Sequence, residues 1–184
     1  IMWMIVLPLI LETEFVVRLW LGEYPDHTVN FIRLALLYNL ISTLQIILAM
    51  GIRATGKIQW MQLSFSLLEF LVFIGAYVLL HNGFAPEWSY ICSLFVSILK
   101  VLVMWVLSKK QLGISILEFL RTVVIPSSIV TVLSASIPII IRFNMPDGWL
   151  RFMIVLVVCL LSTSSCILFL GCIPSERKMI LDMV

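Results

Sequence analysis

Long apolar runs separated by short polar turns organise the whole chain. Residues 28–52 and 58–80 are almost wholly apolar, and a short basic turn that contains Arg53 and Lys57 lies between them. Each run exceeds the roughly 20 residues that a helix needs to cross about 30 Å of hydrocarbon. The pattern therefore predicts a transmembrane hairpin around this turn.

The same alternation continues on both sides of the hairpin. Residues 1–11 supply half a span, and the acidic segment after them has the mixed apolar and aromatic character of a piece lying in the membrane interface, with Trp20 and Tyr24 at headgroup level. Three further apolar runs follow the hairpin. The predicted spans are 1–11 (partial), 28–52, 58–80, 88–107, 117–141 and 149–171, with a tail at 173–184.

Two prolines interrupt the fourth full span. Pro126 and Pro138 are expected to kink it, because a proline inside a helix leaves a carbonyl without its usual partner. Hydroxyl side chains of the same span are expected to bond these carbonyls. They are Ser127, Ser128, Thr131, Ser134 and Ser136.

Composition supports a membrane protein. Hydrophobic residues make up 62% of the chain and charged residues 12%, against about 45–50% and 25% in a soluble domain. Lipid offers backbone groups no partners, so only helices and closed barrels cross it, and these runs are too long and uniformly apolar for barrel strands. The predicted fold class is an all-α polytopic transmembrane bundle, a single domain over 1–184 with one partial and five complete spans.

Basic residues gather in alternate loops. The predicted inner loops and tail hold Arg53, Lys57, Lys109, Lys110, Arg177 and Lys178, whereas the predicted outer loops hold Arg18 and Arg142. Because short basic loops stay on the cytoplasmic side, this distribution predicts a cytoplasmic 53–57 turn and a cytoplasmic C-terminus. The net charge of +2 implies no nucleic-acid surface.

The sequence contains no catalytic or cofactor motif. His27 and His81 are interpreted as solvated loop residues, and no phosphate-binding glycine loop is present. The four cysteines lack the spacing of a metal site and are interpreted as small buried hydrophobes: Cys92, Cys159, Cys166 and Cys172. An enzyme is therefore disfavoured, and no cofactor or metal is expected.

The informative residues are the polar groups inside the predicted spans. Glu69 lies at the middle of its span, too far from either end to reach water, and Gln62 and Ser66 share roughly its helical face. This stripe either lines a cavity or forms a hydrogen bond inside the bundle. Lys100 and Arg33 lie nearer span ends, so each either extends to the interface or lines a cavity that binds an anion.

Several sequence segments also resemble a known family. They are PLILETEF at 8–15, LWLG at 19–22, YP at 24–25, ATGKIQW at 54–60, WLRF at 149–152 and ERK at 176–178. Their order and spacing resemble the C-terminal half of bacterial polysaccharide-export flippases. These are the O-antigen and capsule repeat-unit translocases of the multidrug/oligosaccharidyl-lipid/polysaccharide superfamily, and the resemblance covers essentially the whole chain.

The resemblance implies one lobe of a two-lobed transporter whose N-terminal lobe lies outside this sequence. Such a protein flips undecaprenyl-diphosphate-linked oligosaccharide across the inner membrane by alternating access, for lipopolysaccharide and other surface polysaccharides. Family cavities tend to be cationic. By their positions in the membrane, Arg33 and Lys100 are the candidates for binding the substrate, and Glu69 with Gln62 for ion coupling or gating.

The resemblance also fixes the expected partners. They are the lipid-linked oligosaccharide, membrane lipids and the N-terminal lobe, with a polysaccharide polymerase complex as a further option. Without the N-terminal lobe, the segment is not expected to transport.

Two other functions stay open. One is a drug or organic-cation exporter of the same superfamily. The negative charge of Glu69 favours this function, whereas the positive charges of Arg33 and Lys100 oppose it. The other is a membrane scaffold for glycan assembly that transports nothing.

Overall fold

The computed structural model describes residues 2–113 and 115–171, and all regular structure within these ranges is helical. Five of the helices there are long and apolar enough to cross a membrane: Thr28–Ala54 (α3), Gln59–His81 (α4), Glu87–Leu112 (α5), Leu117–Asn144 and Trp149–Phe169. The predicted all-α polytopic bundle is confirmed. By length and composition the chain is a multi-pass membrane protein.

The remaining helices are short. Met2–Leu11 (α1) is apolar, and Thr13–Leu21 (α2) follows it directly. The fourth long helix is part of a continuous stretch of Ile116–Phe119 (α6), a π-helical turn at Leu120–Val124 and Ile125–Asn144 (α7). The fifth is part of a continuous stretch of Trp149–Cys166 (α8) and a second π-helical turn, Ile167–Gly171.

Predicted and observed bounds differ mainly at helix ends. α5 continues past the predicted residue 107 to Leu112 and ends where Gly113, at a φ of 72°, donates its N–H to the carbonyl of Lys109. A left-handed residue of this kind is the usual way to end a helix, and glycine adopts it without strain. The predicted tail at 173–184, and with it Cys172, lies outside the described residues.

The chain divides into two compact units. One comprises residues 23–116 and contains α3, α4 and α5, with α5 packed against both of the others. We call it the hairpin unit. The other comprises residues 1–22 and 117–184, and its described part contains α1, α2, α7 and α8, with α8 packed against α7 and α1. We call it the split unit.

Small residues bring the helices of the hairpin unit close together. A Cβ atom added at Gly75 of α4 would lie 2.6 Å from the Sγ atom of Cys92 on α5. A Cβ atom at Gly51 of α3 would lie 2.7 Å from a Leu112 methyl group. Membrane helices associate through close packing of this kind, because apolar contact alone gives no advantage over lipid. The two glycines therefore set how near α3 and α4 lie to α5.

Pro138 lies inside α7 in the split unit and removes one backbone hydrogen bond, and a neighbouring helix compensates for this loss. The proline has no N–H to donate to the Ser134 carbonyl four residues earlier. Instead, the hydroxyl of Ser162 on α8 donates to that carbonyl at 2.9 Å. The sequence suggested hydroxyl groups of the same span for this role, but the partner comes from α8. Ser134 Oγ in turn accepts from Trp3 Nε1 of α1 at 2.8 Å, which ties three helices together.

The other interruption of this span lies before Pro126. The π-helical turn Leu120–Val124 widens the helix immediately ahead of the proline, which stands at the second position of α7. Insertions of this type are a recognised cause of helix bending.

At the opposite end of the split unit, α2 packs onto α8 through Phe15. The ring centroid of Phe15 lies 5.4 Å from that of Trp149 and 5.1 Å from that of Phe152.

Candidate functional site

The hairpin unit contains an ion pair between two membrane-crossing helices. Lys100 Nζ of α5 donates to Glu69 Oε2 of α4. The lysine side chain is 8% exposed, whereas the glutamate side chain is 60% exposed on the outer surface of the unit. Lys100 is therefore enclosed by protein, and the carboxylate that neutralises it remains accessible from outside the unit.

The register of the α4–α5 hairpin places the two charges at the same depth. Glu69 lies twelve residues before the end of α4 at His81, and Lys100 lies thirteen residues after the start of α5 at Glu87. With a rise of about 1.5 Å per residue, the antiparallel helices bring these positions almost level. Both are more than two turns from either helix end, so the pair lies near the middle of the predicted hydrocarbon layer.

Polar groups from a third helix extend the site. Gln45 of α3 donates its Nε2 hydrogens to the Ser97 carbonyl at 3.1 Å and to Ser97 Oγ at 2.9 Å. Ser97 is fully buried and lies one helical turn before Lys100 on α5. The ring centroid of Phe65 lies 5.6 Å from Lys100 Nζ, within cation–π range. Gln45, Glu69, Ser97 and Lys100 form what we call the polar belt.

The polar belt keeps a charge in the membrane at low cost. An unpaired Lys or Glu at the centre of a spanning helix costs about 2.5–3.5 kcal/mol or more, and pairing removes most of this penalty. Only Lys100 is enclosed, and Glu69 faces outward. A proton on the carboxylate, or an anion beside the ammonium group, would each weaken the bond between them. Either change would act on this one contact between α4 and α5.

The other two predicted site residues lie outside this arrangement. Arg33 is half-buried on α3 and makes no hydrogen bond or ion pair with the residues that the structure describes. α3 and α5 begin side by side, since His27 Nδ1 lies 2.5 Å from Glu87 Oε1. Arg33 is therefore about 12 Å nearer than Lys100 to that end of the unit. Gln62 is exposed on α4, about two turns from Glu69.

A second ion pair lies in the split unit and was not predicted from the sequence. Arg151 at the start of α8 donates from Nη2 to Glu12 Oε2 at 2.7 Å, and from Nη1 to Asp147. Glu12 is only 2% exposed and Arg151 only 8%. Glu12 Oε1 and Arg151 Nε have no hydrogen-bond partner within the described ranges. The i,i+4 spacing of Asp147 and Arg151 was the available sequence signal, but nothing in the pattern pointed to Glu12.

A small polar cavity of about 150 Å³ lies beside this second pair. Its lining includes both Glu12 and Arg151, together with Arg142 and Arg18, so acidic and basic groups face each other across it. Because these charges neutralise each other, the cavity exerts little electrostatic attraction on a ligand of either sign. We interpret this cluster as structural, joining the α1–α2 junction to the start of α8.

No protein family, curated protein or solved structure matches this chain. The features that bear on function are therefore those of its own residues. Among the ion pairs described above, the Glu69–Lys100 pair lies at mid-span with an accessible carboxylate.

Proposed function

We propose that this protein flips undecaprenyl-diphosphate-linked oligosaccharide repeat units across the bacterial inner membrane for surface polysaccharide synthesis. The observation that carries the proposal is the Glu69–Lys100 pair at mid-span. Ionisable residues at this depth are costly and typically mark the path of a substrate or ion. The resemblance of segments 8–25 and 54–60 to polysaccharide flippases supplies the substrate class.

Lys100 is the residue that meets the substrate diphosphate in this proposal. Without substrate, Glu69 neutralises it. An arriving phosphate oxygen offers the ammonium group a second anionic partner and displaces the carboxylate, which then binds a coupling cation. When the substrate leaves, the carboxylate releases that cation to the other side of the membrane and binds Lys100 again. Substrate movement and cation movement are thereby linked through one contact.

Arg33 provides a second cationic position on the proposed path. It is half-buried and has no carboxylate partner in the described ranges, so its guanidinium group remains available to a phosphate. Arg33 lies about 12 Å from Lys100 along the helix axis. A phosphate that leaves Lys100 therefore meets a second cation on its way to the end of the unit where α3 begins. Gln62, exposed on the other side of Glu69, adds an uncharged hydrogen-bonding group for sugar hydroxyls or for gating.

The proposed orientation places the α3–α4 turn and the C-terminus in the cytoplasm. Basic residues at one end of the hairpin unit support this orientation. The α3–α4 turn and the end of α5 both lie at that end, since Gln111 of α5 bonds to the backbone of Lys57 in the turn. The protein then acts with an N-terminal lobe that completes the cavity, and a polysaccharide polymerase complex is a further proposed partner.

Export of organic cations is less well supported. A cationic drug would have to approach the Glu69 carboxylate, and the Lys100 ammonium group bonded to that carboxylate would repel it. Arg33 would add repulsion. A scaffold that transports nothing would need no ionisable pair at mid-span, and it predicts that substitutions of Lys100 and Glu69 are tolerated.

The test uses cells in which the complete gene has been deleted and no second flippase is present. We expect undecaprenyl-linked repeat units to accumulate in the inner membrane and surface glycan to be lost, as measured by mass spectrometry and lectin binding. The wild-type gene and a Lys109→Met variant, in which the change lies outside the span centre, should restore both. Lys100→Met should restore neither. Unchanged repeat-unit and glycan levels in the deletion strain would overturn the proposal.

A further inference from the structure

A second site lies at one end of the hairpin unit, away from the polar belt. There the α3–α4 turn meets the end of α5 and encloses an open cleft of about 680 Å³. Its walls include Lys57, Trp60, Leu107 and Lys110. This volume is within the range of small-molecule binding sites.

Hydrogen bonds hold the cleft in shape. Thr55 Oγ1 and Gln111 Oε1 lie 2.8 Å apart, and Gln111 Nε2 donates to the Lys57 carbonyl at 3.2 Å. Gly56, at a φ of 73°, allows the sharp turn between them. The turn is therefore fastened to the last turn of α5, which sets the backbone positions of Lys57 and Lys110 relative to each other.

The cleft is positively charged. The side chains of Lys57 and Lys110 are exposed and form no ion pair within ranges 2–113 and 115–171, and no acidic residue lines the cleft. α4 begins at Gln59 in the same wall without a side-chain cap, so its first N–H groups add partial positive charge. The lysines and this helix end together favour a phosphate group.

The depth of the cleft identifies the source of that phosphate. The cleft lies at the ends of three membrane-crossing helices, where lipid headgroups are found. Trp60 is 66% exposed there, as is typical of tryptophan in the interfacial belt. With Leu107, it offers an apolar wall beside the lysines.

We propose that this cleft binds the phosphate of an anionic phospholipid from the leaflet next to the α3–α4 turn. The lysines contact the phosphate, and Trp60 and Leu107 contact the glycerol and upper acyl carbons. This site lies at the end of the spans and takes no part in the proposed exchange at Lys100, so it stands whether or not the protein is a flippase.

The experiment measures lipid binding to the purified full-length protein by native mass spectrometry. The probes are phosphatidylglycerol, zwitterionic phosphatidylcholine and inorganic phosphate. The test variant is Lys57→Gln/Lys110→Gln. The matched control is Arg53→Gln/Lys109→Gln, which removes the same charge from exposed residues near the same end that do not line the cleft. A Lys57→Arg/Lys110→Arg variant tests for rescue.

We expect phosphatidylglycerol to bind in preference to phosphatidylcholine, and the test variant to bind it about fivefold more weakly for each lysine removed. The matched control should change little, and the arginine variant should keep most of the affinity. Equal weakening in the matched control would mean a general charge effect and would overturn the proposal. So would unchanged binding in the test variant. Inorganic phosphate that displaces the lipid at similar concentration would assign the site to a soluble phosphate compound instead.

Discussion

Lys100 of α5 and Glu69 of α4, which are 31 positions apart in the sequence, form an ion pair at the same depth of two antiparallel helices. The lysine is enclosed, and the glutamate is open to the outside of the unit. The two residues differ in this respect, so their substitutions are expected to have different effects.

Lys100→Met removes the only described partner of the Glu69 carboxylate. The uncompensated charge should lower the free energy of unfolding in a bilayer by about 2.5–3.5 kcal/mol and abolish glycan export. Glu69→Gln added to Lys100→Met should recover most of the stability but no export. A double variant that regains export would show that neither charge takes part in transport.

Ser162→Ala tests how the split unit tolerates Pro138. Loss of the hydroxyl leaves the Ser134 carbonyl without its donor, and we expect a cost of about 0.5–2 kcal/mol in unfolding free energy. In a Pro138→Ala background the new N–H can bond the same carbonyl, so Ser162→Ala should cost much less. A double-mutant cycle measures this difference. Equal costs in both backgrounds would contradict the assignment.

Arg151→Met tests the ion pair of the split unit. It leaves the Glu12 carboxylate buried without a cation, which should lower the unfolding free energy by about 3–5 kcal/mol. Asp147 is bonded to the same guanidinium group, but its side chain is 73% exposed, so Asp147→Asn should cost less than about 1 kcal/mol. Chemical unfolding in detergent compares the two. Similar losses would mean that Glu12 does not depend on Arg151.

Gly75→Ala tests the close approach of α4 and α5. The added methyl group would overlap Cys92 Sγ and should cost about 1–3 kcal/mol, seen as a lower thermal unfolding temperature. Cys92→Ala in the same protein should restore the temperature by removing the sulfur. Gly148→Ala is the control, since a Cβ there meets nothing within 4 Å. If the cysteine change gives no recovery, the helices are not in contact at this point.

Hydropathy predicted the number and type of the long helices because lipid permits few alternatives for runs this apolar. It predicted helix ends less well. α5 continues through Lys109 and Lys110, whose charges end the hydrocarbon span but leave the helix intact. Charge placement also predicted an orientation, and this stays a prediction.

Glu69 and Lys100 were each chosen as candidate residues from their depth in a predicted span, but their pairing was not predicted. The pairing depends on the register of a hairpin with a short turn, which brings the two positions level. The pair between Glu12 and Arg151 joins positions 139 apart, and hydropathy does not show which helices of the split unit lie side by side. Local pattern therefore indicates which polar residues lie inside a span more readily than it indicates which residues they contact.

Translocation by the purified full-length protein in liposomes tests the proposed flippase function most directly. Labelled undecaprenyl-diphosphate-linked oligosaccharide is placed in both leaflets, and an external glycosidase reports the share that becomes accessible with time. We predict that wild-type protein makes all of the label accessible, whereas with Lys100→Met only the share originally in the outer leaflet is cleaved. Wild-type protein that exposes no additional label would overturn the proposed flippase function, and Lys100→Met protein that matches wild type would overturn the proposed role of Lys100.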